Sequence, residues 1–352
     1  MSADTDGVGA QLPGGVADAA GRTGYFASVS GGIDAVELET GRLLWNDRNA
    51  LDPLLFSRNR LFATALLPGK PNALQIIAID GTGDGRQVLG ATPIVFPEWV
   101  SVRPVPGHSF HATAHILDDT LQLRWVARSR YMGGAPPPPE VLSEFERDAA
   151  GVARIDLNSD RIEMLPADTP WLGKIRDVPP DVAGWTSYPY WMDGRAEQRP
   201  FFTDRVAAVL QMQRTGDLQT ILLRRWDLDA TRQMPVVALA EGRQLAPLVS
   251  LDEKYVFVQG TLPPNAESAT ARPWWVFSVD SGERVATLHH EQSAISVAII
   301  GPRVYYAVSK QASPNQRSPL GLTLKAVDLQ TGGVIWERLI RDRGRENPAL
   351  PP

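Results

Sequence analysis

The chain contains no cysteine among its 352 residues. That absence removes disulfides, thiolate zinc sites, iron–sulfur clusters and a cysteine nucleophile together. A basic surplus is also missing, since 35 Lys+Arg face 40 Asp+Glu for a net charge of −5. A surface that tracks phosphates needs such a surplus, so no nucleic-acid partner is expected. No window approaches 18 uninterrupted apolar residues, which excludes a transmembrane helix at the sequence level. Met1 to Ala20 lacks both a basic start and a continuous apolar stretch, so it does not read as a signal peptide. The expectation is a soluble protein, cytoplasmic as it stands, periplasmic or extracellular if a leader has been removed. Nothing in the sequence points to an oligomeric state.

Glycine and proline are plentiful, at 30 and 29 residues. Together they make up roughly a sixth of the chain, above the usual share of about 12%. They fall between short apolar runs, as in an all-β protein with many turns.

An internal repeat accounts for the spacing. Ile33-Asp-Ala-Val-Glu-Leu-Glu-Thr-Gly-Arg-Leu-Leu-Trp45 aligns without gaps on Leu324-Lys-Ala-Val-Asp-Leu-Gln-Thr-Gly-Gly-Val-Ile-Trp336. A third copy, Val276 to Val285, is one residue shorter in its turn. Weaker copies centre on Asp80, Asp156 and Asp227. The anchoring acids are therefore Glu37, Asp80, Asp156, Asp227, Asp280 and Asp328. The run before each acid alternates as a strand does. The acid and the Thr-Gly or Ser-Gly after it suit a tight turn, because Asp and Thr side chains bond turn N–H groups and Gly accepts positive φ. Gly41, Gly282 and Gly332 hold that place, and Trp45 and Trp336 close the next strand. Further strand pairs precede several units, as at Asp52 to Leu67 and Ala294 to Val308. Each repeat thus reads as four antiparallel strands, one propeller blade.

The A-x-D-x-x-T-G-x-x-x-W turn resembles the repeat of PQQ-like (quinoprotein-type) β-propellers, over about residues 12 to 340. The resemblance implies an all-β propeller with Trp45 and Trp336 packed between blades. It covers quinone dehydrogenases and cofactor-free relatives alike. The quinone enzymes carry a vicinal cysteine pair, which this chain lacks, so no cofactor is expected. The acids lie 43, 76, 71, 53 and 48 residues apart. That spacing fits six blades with two elaborated ones, or seven if a degenerate blade hides between Leu165 and Pro200. Blades should end near Trp45, Gly90, Pro166, Ala240, His289 and Ile340. Residues 1–11 read as a disordered tail, 12–340 as one propeller domain, and 341–352 as a tail or closing strand. Gly15 to Ala19 is the alternative first strand of blade 1.

Candidate chemistry is sparse. His108, His111 and His115 lie near one alternating run, and a strand places His111, Thr113 and His115 on one face. Cα atoms two pleats apart stand about 13–14 Å from each other, so these are weak metal candidates. Asp80 to Gly85 opens like a calcium loop, yet its twelfth position is Ala91 where such loops need Glu. No nucleophile elbow or phosphate loop is present.

Two departures from blade length remain. Pro136 to Pro139 leads into a short helix expected over Glu140 to Ala149, with Val141, Leu142 and Phe145 as its apolar stripe. Pro166 to Pro200 carries Trp171, Trp185, Tyr188, Tyr190 and Trp191. The two insertions should meet on neighbouring blades. They suggest a non-enzymatic scaffold that binds a protein or peptide through Val141, Leu142, Phe145, Trp185, Tyr188, Tyr190 and Trp191. The alternative is an enzyme with a channel-centred site, metal-assisted or quinone-dependent.

Overall fold

The structure is a computed structural model describing residues 7–81, 86–103, 105–135, 137–172, 179–193, 195–243, 245–259, 272–290, 294–309 and 321–341. Most of the Asp80–Gly85 turn, residues 1–6 of the N-terminal tail, and the tail after Arg341 lie outside the described residues.

Six sheets form in chain order. Blade 1 holds β1 (Gln11–Leu12), β2 (Gly15–Ala17), β3 (Thr23–Ala27), β4 (Ile33–Glu37) and β5 (Leu43–Asp47). Blade 2 holds β6 (Ala50–Ser57), β7 (Arg60–Leu67), β8 (Lys70–Asp80) and β9 (Arg86–Val95). Blade 3 holds β10 (His108–Leu117), β11 (Thr120–Ser129), β12 (Arg147–Asp156) and β13 (Ile162–Leu165), with helix α1 (Pro139–Phe145) between β11 and β12. A short helix α2 (Pro180–Ala183) and a hairpin of β14 (Tyr190–Met192) and β15 (Arg195–Glu197) follow. Blade 4 holds β16 (Phe201–Phe202), β17 (Val206–Thr215), β18 (Leu218–Asp227), β19 (Arg232–Gln233) and β20 (Val237–Gly242). Blade 5 continues with β21 (Pro247–Val249), β22 (Tyr255–Gln259), β23 (Arg272–Ser278) and β24 (Arg284–His290). Blade 6 ends the described chain with β25 (Ala294–Ile300), β26 (Arg303–Ser309), β27 (Gly321–Asp328) and β28 (Val334–Arg341).

Blades are apolar on both faces because each is sandwiched between two others. Adjacent side chains of a strand point to opposite faces. Leu61 therefore packs toward blade 1, while Phe62 packs toward blade 3. Ile77 and Ile76 divide in the same way. Apolar clusters of this kind join blades 1 and 2, 2 and 3, 4 and 5, 5 and 6, and 6 and 1. Each fully buried aliphatic side chain in them contributes about 1.5–3 kcal/mol. The chain is a six-bladed β-propeller. The 166–200 stretch supplies no seventh blade among its described residues, since β14 and β15 join blade 5. The expected blade ends lie within the outermost strands or one residue past them.

Closure uses side chains. Blades 1 and 6 are each contiguous in sequence, and β2 fills the role expected of Gly15 to Ala19. Trp336 of blade 6 is 8% exposed and donates its Nε1–H to Leu38 O of blade 1 at 3.0 Å. Arg338 pairs with Asp34 at 2.8 Å, and Arg341 bonds Asp52 at 2.6 Å. Gly41 sits at φ 74°, and a Cβ there would fall 2.6 Å from the Trp336 ring. Trp45 repeats the contact one blade on, with Nε1 3.4 Å from Gly81 O. It is only half-buried, against expectation. Its bond to the next turn is longer than that of Trp336, although each ring rests on a tyrosine of its own blade, Tyr25 and Tyr305.

The acids brace their turns as expected. Asp328 Oδ1 accepts from the backbone N–H of Thr331 at 2.7 Å and of Gln330 at 3.0 Å. Asp156 accepts from Asn158 and Ser159, and Asp227 from Ala230 and Asp229. Asp280 departs from this pattern: its carboxylate accepts from Thr203 Oγ1 of blade 4, and its carbonyl from Arg225 at 2.7 Å.

Backbone N–H donors, first Thr331, Asn158 and Ala230 respectively, hold the carboxyls of Asp328, Asp156 and Asp227 below the usual range. A lowered pKa in the folded state means the unfolded chain takes up protons at the higher pH. The stabilisation is complete above the unfolded value of about 3.9 and is lost as pH falls through the folded values. Denaturant midpoints should therefore drop below about pH 4, and the triple variant D156N/D227N/D328N should drop less steeply. Equal slopes for the two proteins would contradict this account of the turns.

Candidate functional site

Blade 4 lacks a continuous inner strand. The chain begins one at Ser187 and Tyr188, where Ser187 Oγ accepts from Leu210 N at 3.0 Å and Tyr188 N donates to Leu210 O at 2.6 Å. It then leaves the sheet and returns at β16, which pairs Phe201 with Ala208. The excursion between is the β14–β15 hairpin. Met192 pairs with Arg195, leaving a two-residue link whose first residue, Asp193, takes φ 49°. An Asp-Gly link is the sequence that such a tight turn favours. Instead of covering its own blade, the hairpin adds to blade 5, where Trp191 bridges Leu248 of β21 in parallel.

Its root is fixed by four contacts. Ser187 N donates to Gln198 O at 3.1 Å, and Tyr190 Oη donates to Arg199 O at 3.2 Å. Arg199 pairs with Glu253 at 2.7 Å, and the other Glu253 oxygen accepts from Phe202 N at 2.6 Å. Burial works to lower the Arg199 pKa, but the adjacent Glu253 carboxylate outweighs it and raises the value. Burial also pushes the Tyr190 phenol well above its ordinary range, so the hydroxyl stays a donor.

The hairpin borders a cavity of about 380 Å³ on the propeller axis. Gln11 and Leu12 line it from blade 1, Leu54 from blade 2, and His111, Ala112, Thr113 and Ala114 from blade 3. Met192, Asp193 and Arg195 enter from the hairpin, and Ile295, Ser296 and Leu322 from blade 6. A second cavity of about 300 Å³ lies between blades 5 and 6, lined by Trp191, Leu248, Trp274 and Ile295.

β10 has the expected alternation, yet its histidines diverge. His111 reaches the axial cavity. His115 is exposed and meets the edge of Trp171 at 6.0 Å. His108 starts the strand with Nδ1 buried and lacking a hydrogen-bond partner among the described residues. No three His, Asp or Glu gather as a metal site among the described residues.

The aromatic-rich stretch divides. Trp171 rests on blade 3 and Trp185 on blade 4, and no apolar cluster joins these two blades among the described residues. Arg124 lies over Trp171 at 4.4 Å, and Arg224 over Trp185 at 4.0 Å. Gln122, fully buried, donates to Pro170 O at 2.9 Å and accepts from Leu172 N at 2.6 Å. Tyr190 is completely buried against Phe201, and half-buried Tyr188 packs on the same cluster, so Tyr190 belongs to the core and not to a contact face. Trp191 is 44% exposed.

α1 is shorter than expected, ending at Phe145 because Arg147 already begins β12 opposite Ser129. Arg130 clamps the start of that strand with two bonds to Asp148, at 2.8 and 3.0 Å. No residue of α1 is buried. Val141 and Phe145 are 42% and 46% exposed, Leu142 is half-buried, and Phe145 meets Tyr131 edge-on at 5.8 Å. Among the described residues the insertions do not meet as expected. The 169–172 segment grips β11 at Gln122 and Arg124, whereas α1 stands beyond Ser129 at the strand's other end, about 20 Å of strand away.

The axial residues Asp193 and Arg195 escaped sequence reading. The available signal was Tyr190-Trp-Met-Asp-Gly-Arg-Ala-Glu197, two short runs about a two-residue Asp-Gly link.

No protein-family model and no curated protein matches the chain. Among solved structures it is similar to the AtxE2 isopeptidase, at 12% identity and TM-score 0.43 over 97% of this chain and 53% of that one. It is also similar to TolB from Acinetobacter baumannii, at 12% identity and TM-score 0.31 over 97% and 65%. A third is the β-propeller domain of the Trilobed protease from Pyrococcus furiosus, at 8% identity and TM-score 0.28 over 66% and 57%. The chain thus spans between about half and two-thirds of the length of these proteins.

Proposed function

We propose that the protein is a non-enzymatic binding propeller that holds a protein or peptide partner on the arm carrying α1. One observation carries this reading: an apolar helix stripe, Val141 with Phe145, is exposed, and no residue of α1 is buried. The i,i+4 spacing puts both side chains on one helix face. Helices in folded proteins bury such a stripe against something, and the chain's own disc does not cover this one. The arm is nevertheless fixed in place. Prolines lead into the helix, Glu146 N caps it onto Leu142 O at 2.9 Å, and Arg130 holds Asp148 behind it. Exposed Met132 extends the apolar surface at the arm's root. A preset arm loses little freedom on docking, which favours affinity.

The double variant V141D/F145D tests this. Both side chains are exposed, so stability should move by less than about 0.5 kcal/mol. A partner recovered on the unaltered protein should be lost on the variant, and a control variant at exposed Val334 should keep it. Capture that is equal on all three proteins, or absent from the unaltered one, would refute the proposal.

A further inference from the structure

The axial cavity holds a second site, independent of the arm. Arg195 lines it and makes no hydrogen bond or ion pair with any other described residue. The two acids nearest in the sequence are engaged elsewhere: Asp193 Oδ1 accepts from buried Ser296 at 3.4 Å, and Glu197 pairs with Arg199 at 3.7 Å. Asp193 is thus held by Ser296, whereas Arg195, itself exposed, has no partner among the described residues. A guanidinium presents five donors in a planar fork that fits a carboxylate. The walls around it are largely aliphatic: Leu12, Leu54, Ile295 and Leu322, with Thr113 as a hydroxyl across the axis. A volume of about 380 Å³ lies within the range of sites for small organic ligands, roughly 300–1,000 Å³, which combine apolar walls with a few placed polar groups.

We infer that the axial cavity binds a small organic carboxylate with an apolar body, the carboxylate on Arg195 and the body against the aliphatic walls. The hairpin explains why the cation is there at all. An uninterrupted inner strand on blade 4 would keep residues 189–199 in the sheet, whereas the excursion carries a charged turn to the axis. Its anchoring at Glu253 and Ser296 holds the turn in position without consuming the guanidinium.

Isothermal titration with 4-phenylbutyrate and with its neutral amide tests the assignment on the full chain. The acid should bind at least about tenfold more tightly than the amide, as a charge-assisted bond to a guanidinium implies. R195Q should abolish that preference while leaving the melting temperature unchanged. T113W, which places an indole in the cavity from an exposed wall position, should abolish binding of both compounds. Equal binding of acid and amide to the unaltered protein would overturn the inference. So would a preference that survives R195Q, binding that survives T113W, or no binding of the acid at about 10 mM, roughly ten times a millimolar Kd.

Discussion

Trp336→Ala should destabilise the protein by about 3–5 kcal/mol, the range for removing a large buried aromatic. The site concentrates several losses. The indole is 8% exposed and packs among Leu38, Tyr305 and the Gly41 turn. It lies at the junction where the last blade meets the first without sharing a strand. Among the described residues no strand pairing joins the two blades there, so a local shift of one sheet does not close the void. The polar part is smaller. Leu38 O accepts from Trp336 Nε1 at 3.0 Å and also from Tyr305 Oη at 3.2 Å. Trp336→Phe keeps one of those bonds and most of the packing, and should cost only about 1–2 kcal/mol. Urea denaturation of both variants measures the difference. Equal losses for Ala and Phe would assign the stabilisation to the hydrogen bond and refute the packing account.

Tyr190→Ala should have a comparable effect on stability, about 3–5 kcal/mol, with a second consequence at the axis. Tyr190 is fully buried, sets its ring edge-on to Phe201 at 5.4 Å, and roots the hairpin through Arg199 O. Removing the ring hollows the cluster between blades 4 and 5 and frees the hairpin root together. Tyr190→Phe keeps the ring and leaves Arg199 O without its donor, for about 1 kcal/mol. Trypsin cleavage after Arg195 should accelerate in the Ala variant and stay slow in the Phe variant. Unchanged cleavage in Tyr190→Ala would show that the hairpin does not depend on this anchor.

Much of the fold is readable from the repeat, for a local reason. The acid, glycine and tryptophan act within one hairpin or on the next blade's turn, so their spacing alone predicts strand, turn and outer edge. Asp328 bonds the turn residues that the motif names, and Trp336 is buried as its repeat position implies. The candidate site is readable only in part. Val141 and Phe145 stand out as a stripe, though the helix end does not, because pairing of Arg147 with Ser129 across the arm overrides local propensity. The destination of the hairpin is hidden for a deeper reason. Trp191 bridges Leu248 in another blade, and no periodicity near residue 191 records a partner so far along the chain. Trp185 reads as a contact residue in sequence, because a tryptophan stacked on a half-buried arginine and one stacked on a partner look alike in composition.

The hairpin that leaves blade 4 for blade 5 also sets an order of events during synthesis. Tyr190 to Glu197 emerges from the ribosome before β21, the strand it must join, has been made. At about 5–20 residues per second the wait is of the order of 3–11 s. During that interval blade 4 has β17 and β18 available but an inner edge that cannot settle. The hairpin of blade 4 therefore has no strand to join until the first strand of blade 5 has been made, which ties the completion of the two blades together.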